Sequence, residues 1–483
     1  MSELNSIAAT LVRYAKERLE LDPRDEIFVR NALSELLGLV GFCGDEKEVK
    51  YDSTDGLLNM LACELGIKDA EAEELKDKVM GLLSVSPRAV GDKFSRLCRE
   101  KNGKAATDWF YRYCIANDYI KKDKLDKNPR FDSHGLVVTI NKAKPEFRDP
   151  KKAVSGNSVA GGYPKCTICR ENEGFGDRNK RTLRTVDIEL DGNPWFWQYS
   201  PYGYFAEHGI AVNCKHTPMH IDKQTFYNLI DFVDKFPHYF LGCNAALPRI
   251  GGSVLAHDHY QGGGEILPLQ KASVKIRLKD DEYSDVNVGI LDWPGTVIRV
   301  ESKDRDKVAA VCEKIRKAWV EYDDPALGII AKDGDGEHNS ISPTAVKTRN
   351  GYEMSVILRS NITSEKYPDG VFHAHPEYHV IKKESIGLIE AQGLFILPGR
   401  LEAQLAKVEE CVAKGKLDGD LHEFGSVFAE VFELYKSGRF DTVHDAMKDE
   451  LGSICYRILQ NTAVFDDAHT LSFLKEIGIN ERI

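Results

Sequence analysis

Residues 251–261 read Gly251-Gly252-Ser253-Val254-Leu255-Ala256-His257-Asp258-His259-Tyr260-Gln261. In an extended strand alternate side chains share a face, so His257, His259 and Gln261 are expected to point one way and Asp258 and Tyr260 the other. A His-X-His pair alone is more often structural or a chance metal pair than catalytic. The glutamine and the glycine run tip the balance. Two imidazoles and an amide beside a glycine-rich bend suit attack by a neutral histidine nitrogen on a phosphoryl group, with backbone N–H groups at hand to hold phosphate oxygens.

Outward from this strand, the hydrophobic period divides the 483 residues. Up to about residue 125 apolar positions recur at helical spacing, as in Ile7, Leu11, Tyr14, Ala15 and Leu19. Asp22-Pro23 reads as an N-cap followed by proline in the first helical position, opening a second helix toward Leu37. From Leu136-Val137-Val138-Thr139-Ile140 onward β-rich runs take over, including Val186–Leu190 and Trp195–Tyr199. A helix capped by Asp222, with Phe226, Leu229, Ile230 and Val233 on one face, leads to the histidine strand. A second sheet-forming stretch has its own helix, Asp304 to Tyr322, and a later strand carrying His373-Ala374-His375, a faint internal duplication. After Pro398-Gly399 helical period returns through Leu401, Leu405, Val408 and Val412. The expected fold class is α+β with an antiparallel sheet core. Its expected divisions are 1–130 (helical), 131–271 (first half, with the catalytic strand), 272–400 (second half) and 401–483 (helical).

Composition narrows the function classes. A 42% hydrophobic content supports a large core, and a net charge of −11 argues against a broad nucleic-acid surface, so an anionic substrate needs local donors. No signal peptide or bilayer-spanning apolar run is present, and a cytoplasmic enzyme is expected. Eleven scattered cysteines do not form a secreted disulfide framework. Cys63, Cys98, Cys312 and Cys455 read as core thiols.

Tyr163-Pro164-Lys165-Cys166-Thr167-Ile168-Cys169, Gln198-Tyr199-Ser200-Pro201-Tyr202, Phe236-Pro237-His238-Tyr239-Phe240 and the run from Gly251 to Gln261 together carry a resemblance. The chain resembles the galactose-1-phosphate uridylyltransferases of the bacterial class distinct from the human-type enzyme, a branch of the histidine-triad superfamily. The resemblance implies a histidine-triad-like sheet core in two related halves. It also implies Leloir galactose metabolism, in which UMP passes between UDP-glucose or UDP-galactose and hexose 1-phosphates through a covalent uridylyl-histidine. No nucleic-acid or membrane partner is expected, and a homodimer is among the expectations for assembly.

His259 is then the nucleophile, and Gln261 donates to a phosphoryl oxygen without acting as an acid. A neighbouring backbone carbonyl, that of Asp258 among the candidates, would fix the tautomer of His259. The resemblance gives Asn244, Gly251, Gly252 and Ser253 to the nucleotide phosphates, although Ser253 stands one residue further from the nucleophile than in the human-type class. The N-terminal arginines of that class have no equivalent motif here, and Arg184 is the candidate substitute. The aromatic group Trp195, Phe196, Trp197, Tyr199, Tyr202 and Tyr204 is divided between base stacking and core packing.

Cys166-X-X-Cys169 sits in a turn-rich lead and can supply two thiolates to a tetrahedral zinc. The resemblance supplies the other two ligands as His216 and His257, with His208 and His220 competing for the place of His216. A second metal at His338, His373 and His375 is a weaker expectation, because no matching carboxylate is found: Glu265 lies too close to Gln261. His238 reads as a packed histidine. Two rival functions stay open: another nucleotidyltransferase or phosphorylase of the superfamily, which base selectivity would distinguish, and a zinc-stabilised binding protein, which would form no nucleotide adduct.

Overall fold

The computed structural model of the protein describes residues 3–143, 162–251 and 254–481. Helices α1 (Glu3–Arg18), α2 (Glu26–Leu37), α3 (Thr54–Glu64), α4 (Asp69–Leu83), α5 (Pro87–Glu100), α6 (Gly103–Ala116) and α7 (Lys122–Leu125) come first. Strands β1 (Arg130–Ser133), β2 (Leu136–Asn141), β3 (Val186–Leu190), β4 (Asn193–Tyr199) and β5 (Gly209–Asn213) follow, then α8 (Lys223–Lys235), β6 (Phe240–Gly242) and β7 (His259–Gly263). Beyond α9 (Pro268–Lys271) come β8 (Val274–Asp280), β9 (Asn287–Leu291), β10 (Val297–Ser302), α10 (Arg305–Val320), β11 (Lys332–Asp333), β12 (Gly336–Glu337), β13 (Asn339–Thr348) and β14 (Gly351–Ser360). The chain closes with α11 (Leu388–Ala391), β15 (Leu394–Pro398), α12 (Arg400–Lys414), α13 (Gly425–Lys436), α14 (Val443–Thr462), α15 (Asp467–Glu476) and β16 (Ile479–Glu481). The fold is mixed α and β with helical terminal regions. Among the described residues no helix is long and apolar enough to cross a membrane.

The chain packs as two compact units. One comprises Met1–Lys127, Ser158–Gly203 and Glu207–Lys215. Its helices bury the apolar stripe that their period requires, with Ile7, Leu11, Tyr14, Ala15 and Leu19 all inside. One boundary differs from expectation: α2 is preceded by Asp25, and Asp22-Pro23 closes a turn ahead of it. The Asp22 carboxylate accepts from Arg24 N at 2.8 Å and its carbonyl from Asp25 N at 2.9 Å, so its acceptors are used before the helix begins. Strands β3, β4 and β5 form an antiparallel meander. Trp195, Phe196, Trp197 and Tyr199 on β4 are all buried, and Tyr199 Oη donates to Thr107 O at 3.0 Å, so these four are core and not a base-stacking surface.

The other unit comprises Asn128–Asn157, Tyr204–Ala206 and His216–Ile483. Its large sheet has the order β16-β8-β9-β10-β14-β13-β6-β7, antiparallel throughout. Helix α8 starts with a capping box in which the Asp222 side chain accepts from Thr225 N and the Thr225 hydroxyl oxygen accepts from Asp222 N. Phe226, Leu229, Ile230 and Val233 are buried. Asn228 on α8 donates to Tyr260 Oη at 3.0 Å, so Tyr260 faces the helix and His259 and Gln261 face away. On that opposite face Phe240 packs with Leu388, Ile389, Leu394 and Ile396. A smaller sheet, β1-β2-β15, has β15 parallel to β2 and rests on the C-terminal helices, where Leu401, Leu405, Val408 and Val412 are buried.

The order meander, helix, strand pair occurs twice along the chain, as β3–β5, α8, β6–β7 and as β8–β10, α10, β13–β14. The second pass does not end in a histidine strand. Strand β14 stops at Ser360, and His373-Ala374-His375 lies in irregular chain. Pro368, Gly370 (φ +137°) and Pro376 flank it, and prolines cannot donate to a ladder. Cys312 and Cys455 are buried as expected, whereas Cys63 is exposed.

Candidate active site

Strand β7 begins at His259, not at His257. The chain bends at Ala256 and His257, with Asp258 N donating to Thr217 O at 2.7 Å, so within the strand the alternation joins His259 and Gln261 and does not extend to His257. The bend places the His257 carbonyl 2.8 Å from His259 Nδ1. A carbonyl only accepts, so Nδ1 carries the proton and Nε2 keeps its lone pair. Burial, the main cause, holds the His259 imidazole down to about 4, so it is neutral near pH 7. The backbone group that orients the ring is therefore that of His257, not Asp258.

Just past β6, Asn244 Oδ1 accepts from Leu388 N at 2.8 Å, while its amide nitrogen is buried with no hydrogen-bond partner. An unpaired buried donor costs about 1–3 kcal/mol unless something accepts from it. At Gly251 the structure shows a packing requirement. A Cβ there would come within 2.4 Å of Ala245 O and 2.8 Å of Leu247 O, so the missing side chain makes room for the protein's own loop. Gly252 and Ser253 lie outside the described residues. Arg184 is not a free phosphate donor: its guanidinium bonds Val85 O and Arg181 O at 2.9 Å and Leu183 O at 2.8 Å.

The two cysteines sit in a tight turn. Their sulfurs are 3.3 Å apart, Cys169 Sγ accepts from Cys166 N, and Asn172 Nδ2 ties both carbonyls at 2.8 and 2.9 Å. The hydrogen bond with Cys169 lowers the pKa of the Cys166 thiol, which favours the thiolate. The His216 and His257 rings lie with centroids 4.3 Å apart, and His216 Nε2 is buried without a partner. Cys166, Cys169, His216 and His257 are a group that could hold a metal ion. Two soft thiols and two imidazoles, one with an orphaned nitrogen, suit a tetrahedral divalent ion. His220 is exposed beside Asp222, and His208 is buried, and neither belongs to this group.

The second metal site expected at His338, His373 and His375 is not supported. Among the described residues these three do not gather into a donor group. Asn361 Oδ1 meets His338 Nδ1 at 2.8 Å and an Asp333 carboxylate oxygen stands 2.9 Å from its Nε2 without hydrogen-bond geometry, while Ala374 O meets His373 at 3.2 Å and Val371 O meets His375 at 2.9 Å. Glu265 is engaged by Arg130 and by Ala206 N. His238 is half-buried against the Tyr239 ring.

Comparison with known proteins shows the family of the chain. Residues 20–218 match the family described as galactose-1-phosphate uridyl transferase, N-terminal domain, and residues 232–425 match its C-terminal domain. A galactose-1-phosphate uridylyltransferase of Bifidobacterium longum is 50% identical over 100% of this chain and 99% of its own length. Proteins of the same name from Clostridium acetobutylicum and Lactococcus lactis are 38% and 36% identical, covering 94% and 92% of the chain and 95% and 93% of their own lengths. No solved structure matches.

Proposed function

The chain belongs to the galactose-1-phosphate uridylyltransferase family, and from that premise we propose which of its residues perform the transfer. The enzyme exchanges UMP between UDP-glucose and galactose 1-phosphate, the uridylyl transfer of the Leloir route. His259 Nε2 attacks the α-phosphorus of UDP-glucose; the N–P bond forms, and the bond from that phosphorus to the bridging oxygen breaks. Glucose 1-phosphate leaves with the electron pair. A phosphate oxygen of galactose 1-phosphate then attacks the same phosphorus, the N–P bond breaks, and UDP-galactose departs. The leaving groups are weak bases, so alignment and charge stabilisation matter more than a strong acid. Gln261, on the face of His259, offers an amide donor to the phosphoryl oxygens, and the free amide of Asn244 offers another. Gly252 and Ser253 complete the phosphate cradle in this reading.

Cys166, Cys169, His216 and His257 hold one zinc, which when bound supplies a rigid structural anchor. His257 is then fixed at its ring, and its carbonyl holds His259. The repeated order of meander, helix and strand pair supports two related halves of histidine-triad type. None of the eleven cysteines is in a disulfide, which suits an enzyme of the reducing cytoplasm.

The observation that carries this mechanism is the 2.8 Å contact from His259 Nδ1 to the His257 carbonyl, which leaves Nε2 as the nucleophile. Incubation with UDP-glucose followed by intact-mass measurement should show one uridylyl adduct, absent in His259→Ala. Labelled glucose 1-phosphate should also exchange into UDP-glucose with no galactose 1-phosphate present. A His259→Ala protein that still became uridylylated would overturn the assignment.

A further inference from the structure

Arg359 is 1% exposed, yet its Nε and Nη1 have no hydrogen-bond partner; only Nη2 is engaged, donating to Ile386 O at 2.7 Å. Burial holds the guanidinium down to about 10, well within the charged range at neutral pH. Unpaired donors on a buried cation are costly, and an oxygen of a carboxylate or phosphate is what Nη1, at the end of the guanidinium, lacks; Nε–H points along the Nη2 edge and calls for a second acceptor.

Strand register places this side chain on the catalytic face. Directly paired residues of an antiparallel sheet share a face, and alternate residues along a strand do too. Gln261 pairs with Gly242, Gly242 with Thr344, and Ser340, four residues before Thr344, pairs with Arg359. Arg359 therefore projects from the same side as Gln261 and His259. The segment 386–388 confirms the side independently. Its Ile386 carbonyl meets Arg359, its Leu388 amide meets Asn244, and a Cβ on Gly242 would lie 2.7 Å from the Leu388 side chain. Gly387 between them has no side chain to fill the space, and a Cβ there would stand 3.2 Å from Asn244 Oδ1.

Taking His259 as the nucleophile, we propose that Arg359 binds the phosphate of the hexose 1-phosphate, the group that leaves in the first half-reaction and attacks in the second. The α-phosphorus must sit at His259. Arg359 stands three strands away in the order β14-β13-β6-β7, about 14 Å between strand axes, so its long side chain meets the next phosphate along and not the one being transferred. The neighbouring charges leave the guanidinium fork available. Glu390 favours the cation but gives its Oε1 to Lys382 at 2.9 Å, and Lys382 also lies 3.3 Å from Glu384. His373, close enough to sense Arg359, is held neutral by burial.

The test is binding without turnover, in the full chain carrying His259→Ala. Titration calorimetry compares galactose 1-phosphate and UMP with and without Arg359→Gln. Galactose 1-phosphate should bind at least about tenfold more weakly, the size expected for lost charge-assisted bonds, while UMP affinity stays unchanged. Arg359→Lys, which keeps the charge but not the fork, should fall between, and it carries the comparison if Arg359→Gln does not fold. Unchanged galactose 1-phosphate affinity in a folded variant overturns the proposal, as does an equal loss for UMP. An adduct forming on His259→Ala would defeat the nucleophile assignment instead and leave this binding comparison readable.

Discussion

At Gln261 the choice between transfer and hydrolysis rests on one functional group. An amide donates a hydrogen bond but gives up no proton, so the uridylyl-histidine waits for a sugar phosphate; an imidazole in its place can assist water. Gln261→His should therefore raise the ratio of UMP release to UDP-galactose formation, roughly tenfold or more on the scale of general acid–base effects. An unchanged ratio, read by chromatography of labelled UDP-glucose products, would mean that exclusion of water and not Gln261 protects the intermediate. His373 gives a second prediction. Burial, the larger cause, lowers its folded pKa to about 4, below the ~6.5 of an unfolded histidine. Between those values the unfolded chain binds the extra proton, so the contribution to stability is present above pH ~6.5 and is lost as pH falls toward 4. From pH 7 to pH 5 that loss is about 2 kcal/mol, and His373→Asn should remove it from the difference between urea melts at the two pH values. An identical pH slope in both proteins would show that His373 does not titrate alone. His259 and Gln261 were legible because alternation on a strand is a local property. The bend that stops the strand short of His257 was not, since it goes with a hydrogen bond from Asp258 N to distant Thr217. Arg359 left a fainter signal, a lone cation ending the apolar run Val356-Ile357-Leu358.

Elements differ in how much of their position is written locally. Helix α8 was readable at both levels, from the Asp222 cap and from the apolar positions that the structure buries. Its capping box satisfies two backbone donors, so Asp222→Ala should cost about 1 kcal/mol in a urea melt. The uridylylation rate at 25 °C should hardly change, because α8 supports Tyr260 through its interior residue Asn228. A loss of activity without a loss of stability would show that the cap positions the catalytic strand directly. The two misread elements fail for identifiable reasons. Asp22-Pro23 has the composition of a helix start, but Asp22 spends its acceptors on Arg24 and Asp25, and Asp25 stands next to the helix. The second histidine pair alternates like a strand, yet the prolines and Gly370 around it deny it a ladder partner, a breaker signal that outweighs two-residue spacing. Strand order within the large sheet was beyond local reading altogether, because the pairing of β13 with β6 joins segments about a hundred residues apart.

For the whole molecule the decisive question is what a metal would contribute. The proposed ligands fall at three places along the chain, the Cys166/Cys169 turn, His216 and His257, so an ion held by all of them closes two long loops and removes freedom mainly from the unfolded chain. Thiolate ligation also ties the affinity to pH, because protons must leave the sulfurs, and the lowered pKa of Cys166 favours that step. The purified enzyme should carry about one zinc per chain, as a tetrahedral site of two thiolates and two imidazoles requires. Cys166→Ser should lose that zinc and melt several degrees lower, and a strong chelator should bring the wild type to the same lower melting point without affecting the variant further. Activity is expected to fall with the metal, since releasing His257 also releases the carbonyl that fixes His259. Two outcomes separate the roles. Zinc content and melting unchanged in Cys166→Ser would remove these cysteines from the ligand set. Zinc lost with melting lowered but the uridylyl adduct still formed at the wild-type rate would make the metal a stabiliser of the fold alone, with the bend at His257 held by Asp258 N and Thr217 O without it.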